Sequence, residues 1–370
     1  MSDYAAFLES KAKAHVADGI TVDTSAMSDG LFQFSKDVAA WSLKKGRSCV
    51  FAGTGLTKTA IQCEYAKHIP GVRLIVAPLG VTEQTINEAV LRNGLEIRRA
   101  NHDSDIQGSG VYITNYERLE RLESRFDAII LDESGILKSF DGHYRKYIQE
   151  RFEHTRYKLA CTATPAPNDY MELGTHAEFV GAMTRQEMLA TFFCHDGADT
   201  AKWRLKKHAV GDFWRWVRTW AAVFRHPKDL GYDMPGFDLP PLHFHTHRVD
   251  VDTIGGGLFG DEVSATNLYK ILKASASERV EVVRELVLAE PDEPWLIWVH
   301  TDEEQRMIEK AIPNIVSAFG SQDMDKKIDI LTGFGSGKYR RLVTKPRLAG
   351  FGLNYQVCAR QASCGVNYSQ

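Results

Sequence analysis

The sequence is short of the features that mark membrane, secreted and metal-rich proteins. It has no apolar stretch long enough to span a bilayer and no secretory leader, which predicts a cytosolic protein. Lys and Arg number 45 against 48 Asp and Glu, a net charge of −3. This excludes an overall basic field, so any nucleic-acid contact must be a local groove. The six cysteines lack metal-ligand spacing. Several lie in strand-like apolar runs, where reduced, buried thiols are predicted.

What the sequence does contain is a long alternation of apolar strands and helices. At 370 residues the chain is long enough for about two to three domains. From Leu31 to about Gly181 the pattern is typical of a parallel α/β layer. The candidate strands of this part are Ser48–Ala52, Arg73–Ala77, Gly110–Thr114, Ala128–Leu131 and Lys158–Thr162.

The composition changes between Thr184 and about Pro241, where a tryptophan-rich helix is followed by a loop. A second α/β segment comes next. Its predicted elements are the helix Ser277–Leu288 and the strands Trp295–His300, Asn314–Ala318, Arg341–Thr344 and Ser363–Asn367. A short helix is also predicted over Tyr4–Val16.

A glycine-rich loop between a predicted strand and a predicted helix is the first functional motif. It reads Phe51-Ala-Gly-Thr-Gly-Leu-Thr-Lys-Thr59. Backbone N–H groups of such a loop can surround a triphosphate, while Lys58 reaches the β- and γ-phosphates and the Thr59 hydroxyl ligates Mg²⁺. The predicted nucleotide-binding residues are Ala52, Gly53, Thr54, Gly55, Leu56, Thr57, Lys58 and Thr59. Taken alone, the motif is also compatible with an ordinary glycine turn followed by a surface lysine.

An acidic pair at the end of another apolar run supplies the second half of an NTPase site. The segment Ile130-Leu-Asp-Glu-Ser134 places Asp132 to hold the metal and Glu133 to polarise a water molecule. Most such pairs simply end a strand at the solvent. The order, spacing and strand context of the two motifs together predict an NTPase. Its predicted catalytic residues are Lys58, Asp132 and Glu133, with Thr59 and Asp132 as ligands of Mg²⁺.

Further segments follow these two motifs in a characteristic order. They are Ala77-Pro-Leu79, Ile113-Thr-Asn-Tyr-Glu117, Leu131-Asp-Glu-Ser134 with Lys138-Ser-Phe140, Cys161-Thr-Ala-Thr-Pro-Ala-Pro-Asn-Asp169 with Gly174-Thr-His-Ala-Glu-Phe179, and Val343-Thr-Lys-Pro-Arg-Leu-Ala-Gly-Phe-Gly-Leu-Asn354. Together they resemble the superfamily-two DNA helicases and translocases of the Swi/Snf-related, DEAD/DEAH-box-like type that bacteriophages and prophages carry. The resemblance runs from about Tyr4 to the last residue.

The resemblance implies an α/β fold of two RecA-like parallel-sheet lobes, the second incomplete at its C-terminus, with a helical, Trp-rich insertion between them. It implies ATP with Mg²⁺ in the cleft between the lobes and DNA across both. The implied domains are residues 1–30 as an N-terminal helix and lead-in, 31–181 as lobe 1, 182–245 as the insertion and 246–370 as lobe 2. The cytosol of a bacterial host, and phage replication or recombination proteins as partners, are also implied.

The same resemblance implies roles for individual residues. Thr162 and Thr164 would link the state of the γ-phosphate to lobe movement. The second lobe would be brought to the nucleotide and the DNA strand by Gly352, Asn354 and Gln356. Gln356 would also take part in coupling the nucleotide state to lobe movement. The residues implied to contact the DNA backbone are Thr114, Asn115 and Lys345. Such contacts carry no sequence code, so binding is expected to be sequence-tolerant and sensitive to salt.

Three departures from the family pattern affect the nucleotide site. Thr57 stands where the family has glycine, and a β-branched residue resists both the close approach and the unusual φ that this position needs, at roughly 1–2 kcal/mol. Gly53 replaces an aspartate and is permissive. Ser35 replaces the adenine-reading glutamine after Phe34, so base discrimination is in doubt, and Gln33 lies on the wrong side in sequence to substitute for it.

A fourth departure lies at the end of the chain. The family continues into a Gln-x-x-Arg-x-x-Arg helix (motif VI), whose arginines stabilise charge on the transferring phosphate. This chain stops at Tyr368-Ser-Gln370, so it is expected to be either a fragment or a naturally truncated protein. With Thr57, this predicts feeble hydrolysis of ATP.

A basic cluster beside Trp203 is a second candidate DNA contact. Its members are Lys202, Arg204, Lys206, Lys207 and His208. Lys206 and Lys207 are the predicted DNA-binding residues, and a solvated loop is the alternative.

A helix is predicted over Asp212–Phe224, with aromatic residues at helical spacing. This stripe predicts core packing. Stacking on unpaired bases is the alternative.

Three functions compete at this point. The leading one is an ATP-dependent DNA translocase or helicase of phage origin with weakened activity. The alternative is a DNA-binding scaffold with a degenerate nucleotide site that acts through a partner. A small-molecule kinase with a phosphate loop is disfavoured by the second α/β segment and the Lys-Pro-Arg-Leu-Ala-Gly-Phe-Gly-Leu-Asn sequence within it.

Overall fold

The apolar runs of the first part of the chain become one parallel sheet. The computed structural model describes residues 18–138, 142–196, 199–249, 272–350 and 353–365. It divides into two units, Met1–Leu239 and Pro240–Gln370. The strands of the first unit are β1 (Arg47–Ala52), β2 (Val72–Ala77), β3 (Ile97–Arg99), β4 (Gly110–Asn115), β5 (Ala128–Leu131), β6 (Tyr157–Thr162), β7 (Phe193–Asp196), β8 (Asp199–Leu205) and β9 (Ala221–Phe224).

Seven of these strands form a sheet in the order β3-β4-β2-β5-β6-β1-β9, and every pairing in it is parallel. The other two, β7 and β8, form an antiparallel hairpin. The helices of this unit are α1 (Gln33–Lys45), α2 (Lys58–His68), α3 (Thr82–Glu88, extended by a wider turn over Ala89–Asn93), α4 (His143–Arg151), α5 (Leu173–Val180), α6 (Arg185–Phe192) and α7 (Val210–Trp220). Short 3₁₀ turns occupy Thr24–Ala26, Leu79–Val81, Asp103–Asp105, Tyr116–Arg121, Ser134–Lys138, Tyr170–Glu172, Lys207–Ala209, Pro227–Leu230 and Pro235–Phe237.

Helices cover both faces of the seven-stranded sheet. Side chains alternate along the strands, so Cys49 and Phe51 of β1 join one apolar cluster while Val50 and Ala52 join the other. The first cluster also contains residues of α5, α6 and α7, and the second contains residues of α1 and α2. A parallel sheet buried on both faces needs strands that are apolar throughout, which is why the sequence shows continuous apolar runs here.

The five strands predicted for this part are confirmed, with ends that differ by no more than a residue. Four strands of this unit were not predicted: β7 and β8 of the hairpin, and β3 and β9 of the sheet. β3 reads Ile-Arg-Arg, is only three residues long and lies at the sheet edge, so it carries almost no apolar signal. β9 follows α7 without a break, and the helix predicted over Asp212–Phe224 therefore ends at Trp220 instead.

The tryptophan stripe packs in the core, as predicted. Phe213, Trp216, Val217 and Trp220 of α7 are all buried, and the Trp220 ring meets Phe51 of β1 edge to face at 6.0 Å between centroids. Stacking of these rings on unpaired bases is therefore excluded in this conformation.

The second unit contains a smaller parallel sheet. Its strands are β10 (Trp295–Trp298), β11 (Val316–Ala318), β12 (Arg341–Thr344) and β13 (Arg360–Ser363), in the order β11-β12-β10-β13. Its helices are α8 (Ala276–Ala289), α9 (Asp302–Ala311), α10 (Met324–Gly335) and α11 (Pro346–Ala349). Apolar clusters lie on both faces of this sheet as well, one containing Ile297 and the other Leu296 of β10.

The predicted helix over Ser277–Leu288 and the strand Arg341–Thr344 are confirmed. The strand predicted from Asn314 starts two residues later, because Asn314 has a left-handed backbone with φ 56°. The strand predicted over Ser363–Asn367 is wrong in position for its described residues: β13 spans Arg360–Ser363, and its mostly exposed side chains gave no apolar pattern. Residues 366–367 lie outside the described part of the chain. The helix predicted over Tyr4–Val16 lies outside the described residues.

All six cysteines are free, and five of them are buried, which confirms the prediction of reduced thiols. Among the residues that the structure describes, none of the helices has the length and apolar character needed to cross a membrane.

Candidate nucleotide-binding site

The predicted nucleotide-site residues of the first unit meet at one edge of the seven-stranded sheet. β5, β6 and β1 are neighbours and parallel, so their carboxyl ends lie side by side. The glycine-rich loop follows β1, the acidic pair follows β5, and Thr162 is the last residue of β6. The carboxyl edge of a parallel sheet is where α/β proteins bind their ligands.

The glycine-rich loop turns sharply into α2. Gly55 has φ 79° and Thr57 has φ 52° with ψ 31°, so a threonine holds a left-handed conformation that glycine adopts far more readily. This strain costs roughly 1–2 kcal/mol. Lys58 is the first residue of α2, and its ammonium donates to the carbonyl oxygens of Ala52 at 3.1 Å and Gly53 at 3.0 Å. The lysine thus lies over the loop from which it would reach a phosphate.

The end of β9 packs against the beginning of this loop. The Gly53 N–H donates to the Phe224 carbonyl at 3.1 Å, and a Cβ at Gly53 would lie 3.1 Å from the Arg225 carbonyl oxygen. The aspartate of the family would therefore crowd the backbone here. The close approach of β9 therefore favours glycine at this position, and β9 was not predicted from the sequence.

Asp132 is held by the helix that carries the lysine. Gln62 lies one turn after Lys58 on α2, and its amide donates to the Asp132 carboxylate at 2.7 Å. Burial raises the pKa of Asp132, while the Gln62 hydrogen bond and the charge of Lys58 lower it. The Tyr116 hydroxyl donates to the Asp132 backbone carbonyl at 2.6 Å, which fixes the chain at this point. Gln62 and Tyr116 were not predicted; the signal for Gln62 was a polar residue on the lysine face of α2.

Glu133 is the second strained residue of the site, with φ 46°. Only three non-glycine residues in the described parts of the chain have positive φ, and two of them, Thr57 and Glu133, are predicted site residues. Such strain is typical of functional positions. The Thr162 hydroxyl donates to the Glu133 carboxylate at 3.3 Å and accepts from the Thr164 N–H at 3.2 Å. Burial and the neighbouring Asp132 raise the pKa of Glu133, as suits a residue that takes a proton from water.

The oxygen ligands at this edge fit Mg²⁺. Among the described residues there is no group of three or more His, Cys, Asp or Glu able to enclose a metal ion. Mg²⁺ is usually held by one or two protein oxygens together with water and phosphate, so Asp132 with Thr59 is a sufficient set. The Asp132 carboxylate is buried, and the nearby Gln62 Oε1 is buried without a hydrogen-bond partner. A buried carboxylate next to an unsatisfied amide oxygen is suited to a hydrated cation.

His176 contacts the residue that follows the acidic pair. Its Nε2 lies 3.1 Å from the Ser134 hydroxyl, and its ring meets Phe51 edge to face at 5.2 Å between centroids. Burial lowers the pKa of His176 to about 4, so the imidazole is neutral at physiological pH. His176 on α5 therefore links Ser134, next to the acidic pair, to β1, which leads into the phosphate loop.

Ser35 lies in the first turn of α1, fully buried, and its hydroxyl is 2.7 Å from the Thr57 hydroxyl. Gln33 is exposed and donates to the Asp37 carboxylate at 2.9 Å. Phe34 is buried among the rings of Phe224, Tyr232 and Phe237.

The residues implied to contact DNA differ in exposure. Thr114 and Asn115, at the end of β4, are 2% and 3% exposed, and the Asn115 side chain accepts from the Arg118 N–H at 2.9 Å. Lys206 is half-buried and its ammonium donates to the carbonyls of Ala190 and Thr191, at the end of α6. Lys207 is exposed.

The site residues of the second unit lie around β12 and the segment before β13. Lys345, directly after β12, is 2.8 Å from the Asp302 carboxylate, and this ion pair lowers the pKa of Asp302. Asn354 accepts through its side chain from the Gln356 N–H at 3.1 Å. Gly352 lies outside the described residues.

Comparison with known proteins gives structural relatives only. No protein-family model and no curated protein matches this chain. A variant of Dbp5 from S. cerevisiae, bound to RNA and ADP BeF3, is similar over 90% of this chain and 75% of that one, at 12% identity and a TM-score of 0.52. The Sulfolobus solfataricus SWI2/SNF2 ATPase core in complex with dsDNA is similar over 93% and 84%, at 15% identity and a TM-score of 0.49.

The UvsW helicase from bacteriophage T4 is similar over 50% of this chain and 65% of that one, at 15% identity and a TM-score of 0.34. The chain shares the fold of the Dbp5 structure. The predicted α/β fold of two RecA-like parallel-sheet lobes is confirmed. In this fold the carboxyl edge of the first sheet, with Lys58, Asp132 and Glu133, is the candidate nucleotide site.

Proposed function

We propose that this chain is an ATP-dependent DNA translocase or helicase of the phage type that its motifs resemble. The observation that carries the proposal is the meeting of three groups at one sheet edge. Lys58 lies over the loop, Asp132 is bound by Gln62 from the same helix, and Glu133 is bound by Thr162. A cation-binding carboxylate, a water-polarising carboxylate and a phosphate-binding lysine are the parts that triphosphate hydrolysis needs.

Each residue has a definite task in this proposal. The N–H groups from Gly53 to Thr59 and the Lys58 ammonium bind the phosphates, and Thr59 with Asp132 holds Mg²⁺, which neutralises phosphate charge when it is bound. Glu133 orients the attacking water and takes its proton. Thr162 contacts Glu133, and Thr164 contacts Thr162, so a change at the phosphate reaches the chain after β6. Gly352, Asn354 and Gln356 are proposed to act on the nucleotide from the second unit.

The nucleic-acid part of the proposal rests on different evidence. The Dbp5 structure, whose fold this chain shares, is bound to RNA and ADP BeF3, which supports nucleic acid and an adenine nucleotide as ligands. DNA is favoured by the motif resemblance. Lys207 and Lys345 are the proposed phosphate contacts, with Lys206 beside them. Thr114 and Asn115 are buried at the end of β4. Their proposed role is therefore to shape the turn after β4, which is proposed to face the bound DNA.

Hydrolysis is proposed to be slow. Thr57 holds the left-handed conformation of a glycine at a cost in stability, so the loop is strained where it must surround the triphosphate. The same strain favours the alternative function, a DNA-binding scaffold with a degenerate nucleotide site.

Nucleotide binding and phosphate release, measured on the purified chain, separate these functions. We expect Mg-ATP to bind, Lys58→Ala to abolish binding, and phosphate release to be slow but stimulated by duplex DNA. Binding without any release, unaffected by DNA, supports the scaffold. Release at about 1–100 turnovers per second, a range typical of phosphoryl-transfer enzymes, contradicts slow hydrolysis. Loss of binding in a control variant, Lys44→Ala on exposed surface of α1, would show that the Lys58 effect is unspecific.

A further inference from the structure

Two departures from the family pattern are in direct contact. Ser35, in place of a base-reading glutamine, and Thr57, in place of a glycine, have their hydroxyl oxygens 2.7 Å apart. Ser35 is fully buried in the first turn of α1, and Thr57 immediately precedes α2. The contact therefore joins α1 to the last residue of the phosphate loop.

The Thr57 hydroxyl does not cap the helix that follows it. A threonine before a helix ordinarily turns its oxygen to the N–H groups of the first turn and caps them. Thr57 makes no such bond: its backbone is left-handed, whereas a capping residue is extended, and its hydroxyl meets Ser35. The first-turn N–H groups of α2 are thus not occupied by this side chain, and an anion can use them.

The contact also opposes the strain at Thr57. A residue with a Cβ resists a φ of 52°, and a hydrogen bond between its hydroxyl and that of a buried, fixed partner holds it there. Ser35 itself is fixed by the helix, since its N–H donates to the Phe32 carbonyl at 2.9 Å. Glycine in the family needs no such support, whereas threonine does.

We propose that Ser35 is a positioning residue for the phosphate loop, which acts on the triphosphate of the ligand and not on its base. This inference rests on the proposed function, since it requires the loop to bind a nucleotide. It predicts that losing the Ser35 hydroxyl weakens binding of every ligand with a triphosphate, whatever base it carries.

The experiment compares the affinities of the chain for Mg-ATP, Mg-GTP and Mg-tripolyphosphate by calorimetric titration. Ser35→Ala should weaken all three about three- to tenfold, and by the same factor. Thr57→Val keeps the shape of the side chain and removes the hydroxyl, so it should give the same loss. The double variant should lose no more than either single one, and Thr57→Ser should keep the wild-type affinity.

Ser42→Ala is the matched control, because Ser42 is a buried serine of the same helix whose hydroxyl has no hydrogen-bond partner. It should leave all three affinities unchanged. Three results would overturn this inference and leave the proposed function standing. They are an effect of Ser35→Ala only on the ratio of ATP to GTP affinity, equal effects of Ser35→Ala and Ser42→Ala, and additive losses of affinity in the double variant. A folded wild-type chain that binds none of the three ligands overturns the proposed function, and this inference with it.

Discussion

The Gln62 amide donates a 2.7 Å hydrogen bond to the Asp132 carboxylate, and both side chains are buried. Gln62 belongs to α2, the helix that begins with Lys58 and follows β1. Asp132 follows β5, which lies two strands from β1 in the sheet. The bond therefore holds the two halves of the candidate site in register. It also supplies a donor to a carboxylate whose pKa is raised by burial.

Replacing Gln62 by Leu is expected to destabilise the fold and to weaken Mg-ATP binding. A buried carboxylate that loses its donor costs about 1–3 kcal/mol of unfolding free energy, measured by urea denaturation. Without the donor, the pKa of Asp132 should rise further, so that more Mg²⁺ is needed for half-maximal nucleotide binding. Gln33→Leu is the control, because that amide bonds Asp37 at the exposed start of α1. Equal stability of the two variants would contradict the structural role of Gln62.

Glu133→Gln is expected to separate binding from hydrolysis. The substitution keeps the size of the side chain and the bond to Thr162, while removing the group that accepts a proton from water. Phosphate release should fall at least about a hundredfold, with Mg-ATP affinity close to that of the wild type. Glu117→Gln, an exposed glutamate, should change neither quantity. Full phosphate release by the Glu133 variant would remove this residue from the reaction.

The pH dependence of stability should contain a contribution from His176. Burial lowers the pKa of this imidazole from 6.5 to about 4, so the unfolded chain binds a proton that the folded chain does not between these values. As pH falls from 6.5 to 4, unfolding becomes easier by up to about 3 kcal/mol in total, while above 6.5 the contribution is constant.

His176→Asn should reduce the slope of unfolding free energy against pH within this window, as measured by urea denaturation. The exposed His154 provides the control substitution, His154→Asn, which removes an imidazole without touching the core. The same change of slope in both variants would show that burial of His176 is not its cause.

Charge reversal at Lys207 tests the proposed DNA contact. Lys207→Glu should weaken binding of duplex DNA and lower the slope of log affinity against log salt by about one. Lys206 is a poorer choice, because its ammonium also binds two carbonyls at the end of α6 and its loss should destabilise that helix end. Lys44→Glu, on the exposed side of α1, carries the same change of net charge. Equal losses in the Lys207 and Lys44 variants would indicate an effect of overall charge only.

Much of the first sheet could be predicted because its strands are buried on both faces. Runs such as Ala128–Leu131 are apolar throughout, and the observed strand has the predicted bounds. The missed strands lack that signal. Ile97–Arg99 is short and charged at an edge, and Ala221–Phe224 continues the aromatic pattern of the helix before it. The sequence pattern does not show where a helix ends and a strand begins unless a turn residue separates them.

The candidate site was predictable where function demands particular residue types, and less so where packing decides. Two motifs predict Lys58, Asp132 and Glu133 as parts of one NTPase site, and the order of the parallel strands in the structure brings these residues to one sheet edge. The contacts of Gln62 with Asp132 and of Ser35 with Thr57 join residues far apart in sequence, so no local pattern indicated them. Ser35 was interpreted as a lost base reader, and the structure gives its hydroxyl a different partner.

We propose that one chain binds both ATP and DNA and that each ligand changes the affinity for the other, which a linkage measurement tests most directly. The affinity of the Glu133→Gln variant for duplex DNA is measured by fluorescence anisotropy without nucleotide and at saturating Mg-ATP. The account predicts a change of at least about fivefold in affinity, with ATP affinity changed by the same factor when DNA is present, and no change when Lys58 is also replaced by Ala. Identical DNA affinities with and without Mg-ATP would contradict it.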